Sequence, residues 1–286
     1  MATLRVIRKR IRSVISTRQI TNAMKMVAVA RLRKAQTQAE QSRPYAERMT
    51  EMLQALSVAA SEQLSHPYFE RRRVKKQTLV LVTSDRGLCG AFNSNLIRRA
   101  QTWLEERTPE QVELLCVGRR GYRHFRRRPW PIAGAYNEFN GRLNFPMVRA
   151  LVAELTNRFL TGQTDEIYVL FTKFHSLARV TVTLEKYLNI DRPETAGRAA
   201  GNFIFEPDPD TVFADLLPRY AMMRLQAALA DSFASEQATR MLAMTMATDN
   251  ADEMIDALTL QFNKARQAAI TKEILEVVGG AEAQTA

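Results

Sequence analysis

The feature that most constrains the fold is a long stretch near the carboxyl end without a helix-breaking residue. From Arg219 to Val278 the chain contains neither glycine nor proline. Pro218 precedes this stretch and Gly279-Gly280 follows it, and such residues favour a helix start and a helix end. A helix of this length would extend roughly 90 Å, more than the width of a small domain. The sequence therefore predicts a helix that needs other protein along its length.

The same stretch carries a coiled-coil pattern. Residues at alternating spacings of three and four are apolar except Thr248, and the register slips after Ala269. Alanine and methionine dominate the predicted seam, and they allow close and adaptable helix packing. The register positions are Met241, Met244, Thr248, Ala251, Ile255, Leu258, Phe262, Ala265 and Ala269.

The first part of the chain predicts a partner for that helix. Residues 1–43 also lack glycine and proline, and the predicted helix is kinked or restarted at Pro44 and ends at His66-Pro67. Its apolar residues follow a coiled-coil spacing, slip in phase around residues 16–19 and then resume. They are Leu4, Ile7, Ile11 and Val14, then Ile20, Met24, Val27 and Leu32.

Charge favours pairing of the two terminal helices. Ten cations precede the first acidic residue, Glu40, whereas residues 231–256 hold six acids and one base. We therefore expect an antiparallel coiled coil formed by the N- and C-terminal helices. The net charge of +11 also favours an acidic partner, which could be a protein, a nucleic acid or a membrane surface.

The middle of the chain predicts a Rossmann-like α/β domain, because short apolar β-branched runs alternate with helical stretches. The predicted strands of its mostly parallel sheet lie at 78–83, 112–117, 130–136, 166–172 and 179–188, with an edge strand at 202–206 after a loop at 191–201. The predicted helices lie at 93–106, capped by Asn93 or Ser94, and at 145–160. Residues 119–128 form a basic helix or turn, and residues 207–210 return the chain to helix. The predicted division is a coiled-coil helix at 1–66, the α/β domain at 67–209 and a coiled-coil helix at 210–286.

Several classes of protein do not fit this composition. No apolar run reaches the length of a membrane span, and no secretory signal follows the basic start. Cys89 and Cys116 form no disulfide framework, and the three histidines have no metal-ligand spacing, so no metal or cofactor is expected. The carboxylates form no catalytic pair.

A glycine-containing turn at Ser84–Gly90 follows the first predicted strand and precedes a helix, the usual place of a phosphate-binding loop. No Lys-Ser/Thr follows its last glycine, and the spacing is not that of a dinucleotide fingerprint. A structural or partner-contact loop is therefore favoured over a ligand site. Cys89 in this loop has no base near it in sequence, so we expect a small, semi-buried cysteine rather than a nucleophile.

Two other functions stay open from the residues alone. Cations and aromatic residues alternate in Arg119–Arg128, which suggests a nucleic-acid-binding protein, although a solvated basic face is commoner. An enzyme acting on a small molecule at the α/β domain is the other alternative. Neither function needs a long helical shaft, and the register at 241–269 therefore weighs against both.

Three stretches resemble the gamma subunit of F-type ATP synthases. They are STRQITNAMKMVAVARLRK at 16–34, TSDRGLCGAFNSN at 83–95 and the segment 234–280, which begins ASEQATRMLAMTMATDN and contains FNKARQAAITKEILEVVGG. Their order and the chain length also agree with that family, whereas residues 105–202 diverge.

The resemblance implies a rotary central-stalk subunit that has no catalytic activity of its own. Its coiled coil would turn inside a ring of three alpha and three beta subunits, and its α/β domain would sit with an epsilon subunit on a membrane ring of c subunits. The membrane is reached only through this complex, and no nucleic acid is involved. Ion flow would drive the rotation, and ATP would form or be hydrolysed on the beta subunits.

The resemblance also implies subunit-contact residues. In the first helix these are Met24, Lys25, Arg31, Arg33 and Lys34, facing an acidic beta loop. In the last helix they are Arg266, Gln267 and Thr271, with Ile274, Leu275, Val277 and Val278 as an apolar tip. The loop between Leu188 and Asn202 lacks the cysteine pair of plastid relatives, so thiol regulation is not expected. The start at Met1 favours a bacterial protein, peripheral on the cytoplasmic side of the plasma membrane.

Overall fold

The computed structural model of the chain describes residues 4–59, 68, 73–177, 179–189, 206 and 208–285. The elements are α1 (Leu4–Ala59), β1 (Gln77–Val82), α2 (Phe92–Glu105), β2 (Val112–Val117), α3 (Arg119–Phe125), β3 (Ile132–Tyr136), α4 (Phe145–Leu160), β4 (Glu166–Phe174), β5 (Val180–Leu188) and α5 (Pro209–Thr285). They form two compact units, one of Met1–Ala28 with Met241–Ala286 and one of Val29–Arg240. The predicted loop at 191–201, the edge strand at 202–206 and the helix end near His66 lie outside the described residues.

The unit of Val29–Arg240 contains a five-stranded sheet in the order β3-β2-β1-β4-β5. The first four strands run parallel, and β5 pairs antiparallel with β4. The prediction of a mostly parallel α/β sheet is therefore confirmed. The predicted bounds of β2 and α4 agree with the structure, and those of the other described strands differ by no more than two residues.

Helices cover both faces of the sheet, because successive side chains of a strand point to opposite faces. Val80 and Val82 of β1 pack with residues of α4 and α5 in one core cluster. Leu79 and Leu81 pack with residues of α2 in the other. All four side chains are fully buried, as expected for parallel strands covered on both sides.

The start of α2 differs from the prediction. Its N-cap residue is Ala91, and no side chain makes a capping hydrogen bond. Asn93 instead bonds with Ser84, and the Ser94 hydroxyl donates to the carbonyl of Ala91. The two polar side chains predicted as caps therefore lie inside the helix, where Asn93 fixes the preceding loop.

The other unit is an antiparallel coiled coil. The hydroxyls of Thr21 and Thr248 lie 2.8 Å apart. One turn further along, the Arg18 guanidinium donates to Asp252 over 2.8 Å. Nearer the start of α1, the guanidinium of Arg8 lies 5.4 Å from the ring centre of Phe262. Residue numbers rise along α1 as their partners' numbers fall along α5, which confirms the predicted antiparallel pairing.

The predicted seam of α5 is confirmed, and two of the eight predicted seam positions of α1 are wrong. Every register position of α5 from Met241 to Ala269 is buried or half-buried, and the helix is exposed from Ile270 onward to the last described side chain. In α1, Ile20 and Val27 are 60% and 52% exposed. Thr21 and Ala28 are buried instead, because their small side chains let the helices approach closely where larger residues would hold them apart.

Pro218 and Gly279-Gly280 do not mark the ends of α5 as predicted. The helix begins at Pro209, where Asp208 accepts hydrogen bonds from both the amide and the hydroxyl of Thr211, so the described residues 208–210 return the chain to helix. Pro218 lies inside α5, and the buried Leu217 and Ala221 beside it provide packing that offsets the lost backbone hydrogen bond. Gly279-Gly280 also lie inside, since a helical glycine costs about 1 kcal/mol and weakens a helix without ending it.

Pro44 likewise lies inside α1 and does not restart the helix. Met49 and Leu53 are buried beyond it, so packing holds the helix on the far side of the proline.

Candidate functional site

The predicted contact residues of α1 differ in exposure. Met24 and Lys25 are half-buried in the coiled coil, next to the pairing of Thr21 with α5. Arg33 and Lys34 are exposed in the other unit, and Arg31 is half-buried there.

The predicted contact residues of α5 lie past the paired part of the coiled coil or at its end. Arg266, Gln267 and Thr271 are exposed. The tip is apolar and uncovered, since Ile274, Leu275, Val277 and Val278 are 57%, 66%, 72% and 50% exposed. Exposed apolar residues this close together mark an interaction surface. Because Arg8 pairs with Phe262, the structure does not bring these residues to Met24.

The loop Ser84–Gly90 is held by its own hydrogen bonds. The Ser84 hydroxyl donates to the carbonyl of Arg86 over 2.5 Å, and the Ser84 amide donates to Asn93 over 3.0 Å. Leu88 is 64% exposed and has a φ of 62°, a backbone conformation that is uncommon for a leucine. The loop therefore presents an exposed apolar side chain from a strained and well-supported turn.

Neither cysteine is set up as a nucleophile. Burial raises the pKa of the Cys89 thiol, and the hydrogen bond with Ser84 only partly opposes this. Burial also raises the pKa of Cys116 to about 12. Thiols with a raised pKa stay protonated at neutral pH and are poor nucleophiles. Cys89 is 1% exposed and therefore more deeply buried than the semi-buried position expected from the sequence.

Asp85 joins the loops at the carboxyl ends of β1, β2 and β3. One carboxylate oxygen accepts from the amides of Arg119 and Glu138, both at 3.2 Å, and the other accepts from the amide of Asn140 at 2.7 Å. The sequence predicts only a turn at Asp85. Its position three residues after the end of β1 is the signal for this role, since the carboxyl ends of parallel strands meet at one edge of the sheet.

Four buried or half-buried polar side chains, Arg31, Glu236, Gln237 and Arg240, form what we call the polar cluster. Arg240 donates to Glu236 over 2.7 Å, and the two side chains are only 9% and 4% exposed. Burial raises the pKa of Glu236, and the guanidinium of Arg240 opposes this shift. Burial and the positive charges of Arg142, Arg240 and Arg86 lower the pKa of Arg31.

The sequence did not predict this cluster. Glu236 and Arg240 were interpreted as charges of a locally acidic helix and Arg31 as a partner-contact residue. A carboxylate four residues before an arginine on one helix face was the available signal for an ion pair. Nothing in the sequence indicated that the pair would be buried.

The basic stretch Arg119–Arg128 forms α3 and the turn after it. Arg119 pairs with Glu138 at 3.1 Å, and Arg128 donates to the carbonyl of His124. Burial, and then the charge of Arg128, lower the pKa of His124. An open pocket of about 470 Å³ lies between this helix and the loop Ser84–Gly90. Its basic lining is formed by exposed or half-buried side chains and forms no catalytic arrangement.

Within the described part of the chain, no three His, Cys, Asp or Glu residues lie together as a metal site would require. None of the helices there is both long and apolar enough to cross a membrane.

The chain combines an α/β domain with terminal helices that pair as an antiparallel coiled coil, and this combination is typical of coiled-coil subunits. The predicted contacts of such a protein lie on helical surfaces and not in a pocket. The family profile described as ATP synthase matches residues 3–284. The ATP synthase gamma chain of Chloroherpeton thalassium is 41% identical, with 99% of this chain and 98% of the relative covered. That of Heliobacterium modesticaldum is 44% identical, with 99% of both covered. The chain belongs to the ATP synthase gamma-chain family.

Solved structures agree with this assignment. The central stalk of the Tetrahymena thermophila mitochondrial ATP synthase is similar with a TM-score of 0.61 and 25% identity, over 80% of this chain and 99% of that chain. A chain of the Euglena gracilis mitochondrial ATP synthase has the same fold, with a TM-score of 0.68 and 18% identity, over 98% of this chain and 94% of that chain. The resemblance read from residues 16–34, 83–95 and 234–280 is thus confirmed.

Proposed function

We propose that the chain is the rotor of an F-type ATP synthase, the central-stalk subunit that couples rotation of a membrane ring to ATP synthesis or hydrolysis. The observation that carries the proposal is the end of α5, which leaves the coiled coil after Ala269 with an uncovered apolar surface. Such a surface needs a partner. A ring of subunits around the helix supplies one without requiring a second helix of this chain.

The proposed partners are three alpha and three beta subunits around the coiled coil, with an epsilon subunit and a ring of c subunits at the α/β domain. The structure from Tetrahymena thermophila is described as a central stalk and c-ring, which supports the second pair of partners. The exposed cations Arg33 and Lys34 suit an acidic beta loop, as does Lys25 more than two turns earlier, and Met24 beside it offers an apolar contact.

The chemistry of the α5 tip suits a turning contact. Ile274, Leu275, Val277 and Val278 offer apolar contacts, whose strength depends little on direction. A helix that must occupy several angles is held at each of them with similar free energy. Arg266, Gln267 and Thr271 lie just before this tip and supply the directional contacts to beta loops that transmit force.

In this proposal the chain itself catalyses no reaction, and ATP is made or hydrolysed on the beta subunits. The relatives from Chloroherpeton and Heliobacterium support a bacterial complex. The chain would then lie on the cytoplasmic side of the plasma membrane and meet the membrane only through the complex.

The experiment that tests this function is purification of the complex through a tag on this chain, followed by single-molecule observation of a bead fixed to the chain's α/β domain. We expect alpha and beta subunits to copurify, and the bead to turn in one direction when ATP is added. ATP hydrolysis by the isolated chain, or ATP hydrolysis by the complex without rotation of the bead, would contradict the proposal.

A further inference from the structure

We propose that Arg31, Glu236 and Arg240 are positioning residues that fix the rotational setting of α1 and α5 against the loops of the α/β sheet. The inference rests on the rotor function proposed above. A rotor that transmits torque needs its helices fixed in angle on the domain that is driven. All three residues lie in the unit of Val29–Arg240, from which α1 and α5 continue into the coiled-coil unit.

The polar cluster connects both helices to the loop edge of the sheet. Arg240 of α5 donates to the carbonyl of Gly87 in the loop after β1, over 3.3 Å. Arg31 of α1 donates to the carbonyl of Asn140 in the loop after β3, also over 3.3 Å. Asp85 holds the amide of the same Asn140, so the two loops that receive the helices are themselves joined.

The loop after β3 approaches α5 so closely that a side chain would not fit. A Cβ atom at Gly141 would lie 2.5 Å from the side-chain nitrogen of Gln237 and 3.3 Å from a carboxylate oxygen of Glu236. Gly141 has a φ of 68°, which a glycine adopts without strain. The backbone of this loop therefore lies directly against the side-chain ends of the polar cluster.

The apolar packing next to the polar cluster restricts the rotational setting of α1 and α5 only weakly. Leu32 of α1 packs against Ala234 and Ala238 of α5 in a small cluster. Apolar burial is non-directional, and a smooth surface of alanines lets a neighbouring helix turn or slide with little loss. Hydrogen bonds weaken steeply with angle, so the bonds of Arg31 and Arg240 restrict the motions that the alanines permit.

The composition of the polar cluster suits a role in fixing the helix positions better than a role in stabilising the fold. Arg31 Nε, Glu236 Oε2 and Gln237 Oε1 are buried without a hydrogen-bond partner in the described part of the chain. Three further arginines surround Arg31, and their charges oppose its own. A buried network that is only partly satisfied stabilises a protein less than apolar residues of similar volume do. Such a network can instead favour one defined arrangement of the helices, just as a buried polar residue can specify the register of a coiled coil.

The test uses the assembled complex and the double variant Glu236→Leu/Arg240→Met, which replaces the buried pair by apolar side chains. Angular fluctuations of a bead on the rotor, recorded without ATP, give the torsional stiffness. We expect a stiffness at least about twofold lower, with a thermal unfolding midpoint that is equal or higher, because apolar replacement of a buried pair is often neutral or stabilising. Unchanged stiffness in an assembled complex would overturn the inference.

A second variant covers failure of the double variant to assemble. Arg240→Lys keeps a cation beside Glu236 but lacks the guanidinium fork that also reaches Gly87, so we expect normal assembly with reduced stiffness. An assembled Arg240→Lys complex with normal stiffness also overturns the inference. The control is Arg48→Met/Glu51→Gln, which removes an exposed pair of α1 in the same unit and should leave the stiffness unchanged. If the unmodified complex does not rotate, the rotor function fails and the variants are not compared.

Discussion

Glu166 shows how one carboxylate is held at the amino-terminal end of β4, a strand inside the sheet. Gln77 donates to it over 2.9 Å, the Tyr168 hydroxyl over 3.1 Å, and Lys186 pairs with it at 3.1 Å. Burial acts to raise the pKa of Glu166, but these donors and the charge of Lys186 together lower it below its ordinary value. The folded state therefore binds a proton at this site less readily than the unfolded chain does.

The expected consequence is a pH dependence of stability. Since the folded pKa lies below the unfolded one, Glu166 contributes stability above its unfolded pKa and loses it as the pH falls through the folded pKa. Glu166→Gln should lower the urea unfolding midpoint at pH 7. The midpoint of this variant should also decrease less between pH 7 and pH 3 than that of the unmodified chain. Glu105→Gln, an exposed change of the same charge, is the control. Equal urea midpoints for Glu166→Gln and the unmodified chain at every pH would contradict this role.

At the scale of elements, the coiled coil depends on small residues in its seam. Ala251 is buried at a register position of α5, whereas Ala257 on the same helix is exposed. Ala251→Leu should destabilise the coiled coil by about 1–3 kcal/mol, because a larger side chain forces the helices apart. Ala257→Leu should change stability by no more than about 0.5 kcal/mol. Urea unfolding followed by circular dichroism measures the free energy of unfolding of both variants. Equal losses would mean that the seam at Ala251 tolerates a larger side chain as well as the exposed position does.

The same contrast explains what the sequence could predict. The register of α5 was readable because its nine positions include Ile255, Leu258 and Phe262, which are large enough to make the period visible. In the seam of α1 two predicted positions are wrong, because the buried residues there are Thr21 and Ala28, which carry little hydrophobic signal, while the larger Ile20 and Val27 face outward. Strands were found because parallel strands covered on both faces are continuously apolar.

Helix ends and the polar cluster could not be predicted for a related reason. Pro44 and Pro218 are local signals for a break, but the packing of distant residues decides whether a helix continues beyond them. The burial of Glu236 and Arg240 depends on loops that are about 100 to 150 residues away in sequence, at Gly87 and Asn140. Local patterns carry no information about such contacts.

At the scale of the whole molecule, the proposed function predicts separate effects for folding and coupling. Truncation before Ile274 removes a part of α5 whose described side chains are all exposed, so the α/β domain should keep its thermal unfolding midpoint. Torque, or ATP-driven ion pumping by the complex, should fall, because the apolar tip that contacts the ring of alpha and beta subunits is removed. Full coupling after a larger truncation, past Phe262, would show that the proposed upper contact is not needed.

The uncovered end of α5 also has a thermodynamic consequence. Beyond Ala269 the described side chains of the helix are exposed, and two glycines interrupt its favourable backbone propensity. In the free chain, amide hydrogens there should exchange faster than those of residues 241–269, whose helix is held by α1. Assembly then includes an ordering step. Part of the binding free energy is used to order this segment. The affinity of the α5 tip for its partner is therefore lower than its apolar area suggests.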